Sequence, residues 1–216
     1  MHKQPTPVKM PFAKRVFDII ISSIIITILS PVLILIILAI KIEGIFVCKN
    51  RGPIFYSEER ISAGKLFKLR KFRIFKTSSY YPTQNNGGIV VTKQLEQNLN
   101  NLTYIGNILK KFYLDEAPQL FNVLFNNMSM IGPRPWIERD VKKETDKGEF
   151  RKIIIKAGLS GPVQIHKLDA NKHGGEHKLD NDYIKFVRSH NGVSVVLLDL
   201  GIILKSFFFM FKGQGL

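Results

Sequence analysis

Asp115 and Glu116 stand side by side in the stretch Leu109-Lys-Lys-Phe-Tyr-Leu-Asp-Glu-Ala-Pro-Gln-Leu-Phe-Asn122. An ionised Asp can attack phosphorus and form an acyl phosphate. A neighbouring carboxylate can hold a hard divalent cation that bridges phosphate oxygens. Pro118 follows, a residue favoured in the first turn of a helix. The pair is therefore expected at the positive end of a helix, which keeps both acids ionised. Lys110 and Lys111 precede the pair by one turn and are placed to neutralise phosphate charge. The competing reading is plainer: Asp-Glu before a helix is a common N-terminal pattern with no chemistry attached.

Two basic clusters belong with this pair. In Asn127-Met-Ser-Met-Ile-Gly-Pro-Arg-Pro135, Gly132 permits positive φ and two prolines stiffen the chain around Arg134. A guanidinium held in that way is oriented for bidentate phosphate contact; otherwise the segment is a rigid turn with an exposed Arg. In Gly64-Lys-Leu-Phe-Lys-Leu-Arg-Lys-Phe-Arg73, a strand places Lys65, Phe67, Leu69, Lys71 and Arg73 on one face. Cations on both faces suit phosphate, with Lys71 and Arg73 as candidates; lipid headgroups would also favour them, by about 1 kcal/mol per cation. His166, His173 and His177 have no thiol near and match no zinc spacing, so they read as surface histidines. Phosphate-binding Gly-rich loops and the Gly-x-Ser-x-Gly elbow are absent from the sequence.

The elements that position these residues begin with a membrane segment. Residues 16–40 hold 19 apolar positions of 25, with Asp18 the single charge. As a helix this run reaches about 37 Å, enough for a hydrocarbon core of about 30 Å. Pro31 removes a backbone donor, so the helix is expected to break or kink at Ser30-Pro31, and the Ser30 hydroxyl can bond a carbonyl one turn back. Both flanks are basic: Lys14 and Arg15 before, Lys41, Lys49 and Arg51 after. The charge asymmetry of a simple span is missing. A helix that enters and leaves on one side fits both facts, against the alternative of an ordinary kinked span. At the other end, Val196, Leu200, Ile203, Leu204, Phe207 and Phe211 share one helical face, which reads as an interfacial amphipathic helix or a core-facing terminal one.

Between these anchors lie short strands around 54–56 and 66–72. A polar loop over 77–101 carries a short helix after Val90, and helical periodicity over 103–125 is interrupted at Pro118. Residues 136–156 read as a solvated, charge-dense helix, 168–181 as a polar loop, and the first residues as a loose tail. The 216 residues carry a net charge of +15 and a pI near 9.9, which calls for an anionic partner. Charge alone argues for nucleic acid, and no recognition motif supports it; phosphorylated substrates and an anionic phospholipid membrane are the better match. Cys48, the single cysteine, allows no internal disulfide.

Taken in order, several motifs resemble the bacterial sugar transferase family, the monotopic phosphoglycosyl transferases that start glycan assembly on polyprenyl phosphate. They are Lys14-Arg-Val-Phe-Asp18, Ser30-Pro31, Gly52-Pro-Ile-Phe-Tyr56, Gly64-Lys-x-Phe-Lys68, Lys71-Phe-Arg73, Leu114-Asp-Glu-x-Pro-Gln-Leu120, Met128-Ser-x-Ile-Gly-Pro-Arg-Pro135 and Lys156-Ala-Gly-Leu-Ser-Gly-Pro-Val-Gln164. The resemblance implies a mostly helical α+β fold: a tail over 1–13, a re-entrant membrane helix over 14–43 broken at Ser30-Pro31, a small cytoplasmic catalytic domain over 44–193 and an interfacial helix over 194–216. It implies an enzyme at the cytoplasmic face of the bacterial inner membrane that moves a phosphosugar from a UDP-sugar to undecaprenyl phosphate and releases UMP. Asp115 would be the nucleophile, Asp115 and Glu116 would meet Mg²⁺, and Arg134 would grip phosphate. The family usually has Arg where this chain has Lys110 and Asp where it has Asn127, and the residues after Gln164 are unusual. Those departures support one alternative from another class, a non-catalytic membrane adaptor of a glycan assembly complex; the intact acidic pair supports an active enzyme.

Overall fold

A run of branched apolar residues has weak helix propensity in water, but out of water every backbone group must be bonded within the segment, which a helix achieves. The computed structural model describes residues 5–79, 92–167 and 169–211. Its first element, α1 (Phe12–Phe46), is one helix of 35 residues, about 52 Å at 1.5 Å per residue. The expected break at Ser30-Pro31 is not an interruption: the helix continues through Pro31. The Ser30 hydroxyl donates to the carbonyl of Thr27 at 2.8 Å. That is the carbonyl a residue at position 31 would have bonded had it carried an N–H.

Contacts group the chain into two units, one of Met1–Ile26, Glu58–Leu69 and Gln119–Leu216, the other of Thr27–Ser57 and Arg70–Pro118. In the second unit, Leu33, Ile36 and Ile40 on α1 join Tyr56, Phe72, Ile74, Phe75, Leu102 and Leu109 in one apolar cluster. Helix α2 (Thr92–Gln97) is the short helix expected after Val90, while residues 80–91 of that polar stretch lie outside the described ones. Helix α3 (Tyr104–Lys111) starts on a side-chain cap, Thr103 Oγ accepting from Gly106 N at 2.8 Å. The Glu43 carboxylate takes the next orphan donors, Tyr104 N at 2.6 Å and Ile105 N at 3.2 Å. Gly106 is required by space: a Cβ there would lie 2.2 Å from the Ile74 carbonyl oxygen.

Strands β1 (Phe55–Ser62) and β2 (Lys65–Phe72) pair as a hairpin, with Ala63 and Gly64 both at positive φ in its turn. β1 runs well past the expected 54–56, and Glu58 and Arg60, two residues apart on one strand face, pair with each other.

In the first unit a parallel pair, β3 (Ser129–Ile131) and β4 (Gly158–Ser160), holds Ser129 opposite Gly158 and Ile131 opposite Ser160. Around it lie α4 (Gln119–Leu124), α5 (Glu138–Asp146), α6 (Pro162–Ile165), α7 (Gly175–Ser189) and α8 (Gly192–Phe211). Gly132 does not use the positive φ it permits; a Cβ at that position would sit 2.5 Å from the Lys156 carbonyl oxygen. The solvated helix expected over 136–156 is α5 alone, because Arg151 and Lys152 beyond it are buried, against Glu144 of α5 and the distant Asp180. The loop expected over 168–181 turns helical at Gly175; Leu168 lies outside the described residues. The tail is tied down in part, by Val8 N to the Ile154 carbonyl at 2.6 Å and by Arg188 to the Thr6 carbonyl at 2.6 Å.

Helices α1 and α8 are long and apolar enough to cross a membrane, and each turns many of its apolar side chains outward. Ile19, Ile20, Ile24 and Ile28 on α1, and Leu197, Leu204, Phe207 and Phe208 on α8, are exposed. Lys14, Asp18 and Ser22, and Asp199 and Ser206, are buried. On the α8 face read as interfacial or core-facing, Leu200, Leu204 and Phe207 are exposed and Ile203 is buried. A surface of this kind is complementary to lipid, with the polar groups turned to protein.

A Gly106→Ala substitution sets a methyl carbon against the fixed backbone of Ile74, so it should cost about 2 kcal/mol or more. Thermal unfolding in detergent measures this, and an unchanged midpoint would remove the close-packing account of α3.

Candidate active site

The chain leaves α3 through Tyr113, held in the left-handed region at φ 56° and ψ 19°. A non-glycine residue there carries local strain of about 1–2 kcal/mol. One 3₁₀ turn, Leu114–Glu116, follows and carries the acidic pair. Asp115 is 6% exposed. Lys71, buried on the inward face of β2, places its ammonium 3.5 Å from Glu116 Oε1. Burial pushes the Asp115 carboxyl up to about 7; the charge of Glu116 adds to the rise and Lys71 opposes it. This corrects the expected ionised pair at a helix end, since α4 begins only at Gln119 and spans six residues. Desolvation outweighs any dipole, and the site holds a carboxyl balanced between its two forms near neutrality. A divalent cation fits here by donor chemistry: adjacent carboxylates supply hard oxygen ligands, and positive charge would offset both the burial and the Glu116 charge that raise Asp115.

Among the residues expected to bind phosphate, the structure brings Lys71 to the pair and gives the others different surroundings. Arg73 is buried and donates to three main-chain carbonyls, Pro53 at 2.6 Å, Phe75 at 2.7 Å and Asn50 at 2.7 Å. It clamps the segment before β1 and the end of β2. The Lys110 ammonium bonds the Glu96 carbonyl on α2. Lys111 is exposed, its ammonium 5.7 Å from the Phe112 ring centroid. Arg134 is exposed between the buried Pro133 and Pro135, in the first unit.

Two buried ionic clusters escaped the sequence reading. In the first, Lys14 bonds Asp199 and lies 3.6 Å from Asp18, all three side chains at most 3% exposed. Asp18 accepts from Ser129 Oγ at 2.7 Å and from Met130 N at 3.2 Å; Tyr183 Oη donates to Asp199 at 2.9 Å and lies 3.1 Å from the Ile131 carbonyl. The cluster therefore grips both sides of β3, the strand that leads into Arg134. The signal was present: an acid inside an apolar run demands a cation, and Lys14 precedes Asp18 by one helical turn. In the second, Asp180 meets Arg151 and, at 2.8 Å, Lys152, while Arg151 also reaches Glu144 at 2.8 Å. Both cations stand over the Trp136 ring, at 5.1 Å and 4.7 Å from its centroid. Burial and the adjacent Arg151 lower the Lys152 pKa against the pull of Asp180. No spacing in the sequence announces this cluster, whose members come from three separated segments.

In metal-free protein, Lys71→Met should raise the Asp115 pKa further above about 7, because the lost charge is one that lowers it; carbon-13 carboxyl titration by NMR checks the sign. Lys14→Met strands two buried carboxylates and should cost about 3–5 kcal/mol, whereas Tyr183→Phe removes one bond to a charged group and should cost about 1.5–3 kcal/mol. Denaturant unfolding in detergent would contradict the cluster's role if the two losses were equally small.

The model of the family described as Bacterial sugar transferase matches residues 9–213. The chain is 29% identical over 202 residues to an undecaprenyl-phosphate galactose phosphotransferase of Salmonella typhimurium, covering 90% of this chain and 41% of that protein. It is 33% identical over 156 residues to a UDP-glucose:undecaprenyl-phosphate glucose-1-phosphate transferase of Klebsiella pneumoniae, covering 71% and 30%. With the exopolysaccharide production protein ExoY of Sinorhizobium fredii it shares 29% identity over 182 residues, 80% of this chain and 77% of the relative. The chain spans less than half the length of the first of these relatives and about a third of the second. The match covers the Lys14–Asp18 cluster, the acidic pair and the Arg134 loop alike, and the chain belongs to the bacterial sugar transferase family.

Proposed function

We propose that the protein transfers a phosphosugar from a UDP-sugar to undecaprenyl phosphate, releasing UMP and starting assembly of a surface glycan or exopolysaccharide. The observation that carries this reading is the buried Asp115 beside Glu116 and Lys71, with a carboxyl pushed up to about 7. The family assignment supports it, as do relatives whose names specify undecaprenyl-phosphate sugar phosphotransfer.

In the first step an Asp115 carboxylate oxygen attacks the sugar-bearing β-phosphorus. The bond from that phosphorus to the bridging oxygen breaks and UMP leaves with the electron pair. In the second step an oxygen of the undecaprenyl phosphate attacks the same phosphorus. The aspartyl bond breaks, and the product is an undecaprenyl diphosphate sugar. Asp115 and Glu116 would hold Mg²⁺, which supplies positive charge to phosphate oxygens. Lys71 keeps a compact positive charge beside the pair. Lys110 and Lys111 lie on the same helical end, and Arg134 is assigned a phosphate contact by the resemblance alone.

The same reading places the chain at the cytoplasmic face of the inner membrane, with α1 re-entrant. Its basic flanks, the proline in its middle and its outward apolar side chains support that placement.

Detergent-purified protein should release UMP from one member of a UDP-sugar panel when Mg²⁺ is present, and EDTA or Asp115→Asn should reduce this by about 10³-fold or more. An active Asp115→Asn variant removes Asp115 as nucleophile, and complementation in cells by that variant would favour the adaptor reading. For the topology, single cysteines at Phe12 and Ile45 in a Cys48→Ser background should both label from the cytoplasmic side. Labelling from opposite sides would establish a spanning helix.

A further inference from the structure

His166, Asp169 and His173 come together on the surface after α6. The Asp169 carboxylate sits between the two imidazoles: His166 Nδ1 is 3.2 Å from Oδ1 and His173 Nε2 is 3.2 Å from Oδ2. The rings lie 4.1 Å apart centre to centre, tilted by 54°. One ligand atom from each residue falls within 4.8 Å of the other two. His177 does not belong to the group, its ring nitrogens facing Glu144 at 3.2 Å and Glu149 at 3.5 Å.

The backbone explains the convergence. His166 closes α6, residues Ala170–His173 form one 3₁₀ turn, and Gly174 and the first residue of α7, Gly175, both sit at positive φ. The chain thus folds back on itself within eight residues, and the side chains at 166, 169 and 173 are left on one side.

We propose that these three residues bind a zinc ion as a local clip between α6 and α7, separate from the acidic pair and independent of the sugar-transfer reading. Two imidazole nitrogens and one carboxylate oxygen form a donor set of borderline softness, which selects Zn²⁺ and its neighbours in the transition series over Mg²⁺ or Ca²⁺. Tetrahedral zinc with bonds of about 2.0–2.1 Å spaces its ligand atoms by about 3.3 Å; each imidazole already stands at such a distance from the carboxylate, on opposite oxygens of Asp169, so the carboxylate has to turn to offer one oxygen to an ion that both imidazoles reach. The three ligand atoms, now within 4.8 Å of one another, draw together as the ion binds. Three protein ligands leave the fourth position to water. Because both histidines are partly exposed, the ion exchanges with solvent. Its effect is to tie the end of α6 to the start of α7 across a turn that otherwise rests on short-range hydrogen bonds.

The test uses the full untagged chain in detergent, in a Cys48→Ser background, titrated with ZnCl₂ alone and read by isothermal calorimetry and by metal content after gel filtration. One zinc equivalent should be bound and should raise the unfolding midpoint. His166→Ala and His173→Ala should each lose that equivalent and the midpoint shift. His177→Ala and Asp115→Asn should keep both. Zinc binding unchanged in a His166→Ala/His173→Ala double variant, or no zinc equivalent in the parent chain, would overturn the proposal. Loss of transferase activity with zinc binding intact would bear on Asp115 alone.

Discussion

A carboxylate taken out of water has to be met by a cation or by several hydrogen-bond donors, and this constraint organises the protein. Asp180 is met by two cations, Arg151 and Lys152. Asp18 and Asp199 share Lys14 and draw the remaining bonds from Ser129, Met130 and Tyr183. Asp115 is treated differently. It lies beside a second acid, with Lys71 placed on that neighbour, and its carboxyl rises to about 7. The first two clusters hold their charge in place; the third leaves a carboxyl responsive to whatever charge arrives.

The same constraint accounts for the inverted character of α1 and α8. Each is apolar outside and polar inside over the stretches that carry Lys14, Asp18, Asp199 and Ser206. In water, exposed rows of Ile, Leu and Phe would favour association; against lipid they cost nothing, and the buried charges then fix the helices to β3 with bonds of defined direction. The strand so held leads through Gly132 and Pro133 to Arg134. Membrane attachment and the shape of that loop therefore depend on one set of bonds within a single unit.

Much of this was legible from local patterns. Alternation gave the β2 face that buries Lys71, helical spacing gave α3, and Ser30 bonds the carbonyl that Pro31 leaves behind. Residue type and spacing singled out the acidic pair, and the resemblance, not the spacing, supplied the role expected of it. What escaped were partnerships between distant segments. Arg73 reads as a phosphate ligand until Pro53, Phe75 and Asn50 are seen to take its donors. Arg151 and Lys152 read as a wet face until Asp180 appears. Gly132 reads as a positive-φ residue, whereas it is small because Lys156 passes close by. In each case residue type signalled a special position, and the reason lay in a contact no linear pattern encodes. The pKa of Asp115 belongs to the same class, since it follows from burial rather than from the helix that was expected to govern it.

The account rests on a covalent bond between Asp115 and phosphorus. Protein incubated with its UDP-sugar in the absence of undecaprenyl phosphate, then treated with borohydride, should carry homoserine in place of an aspartate. Peptide mapping should find that conversion at position 115 and nowhere else. Conversion at another acid, or UMP release with none at all, would contradict it.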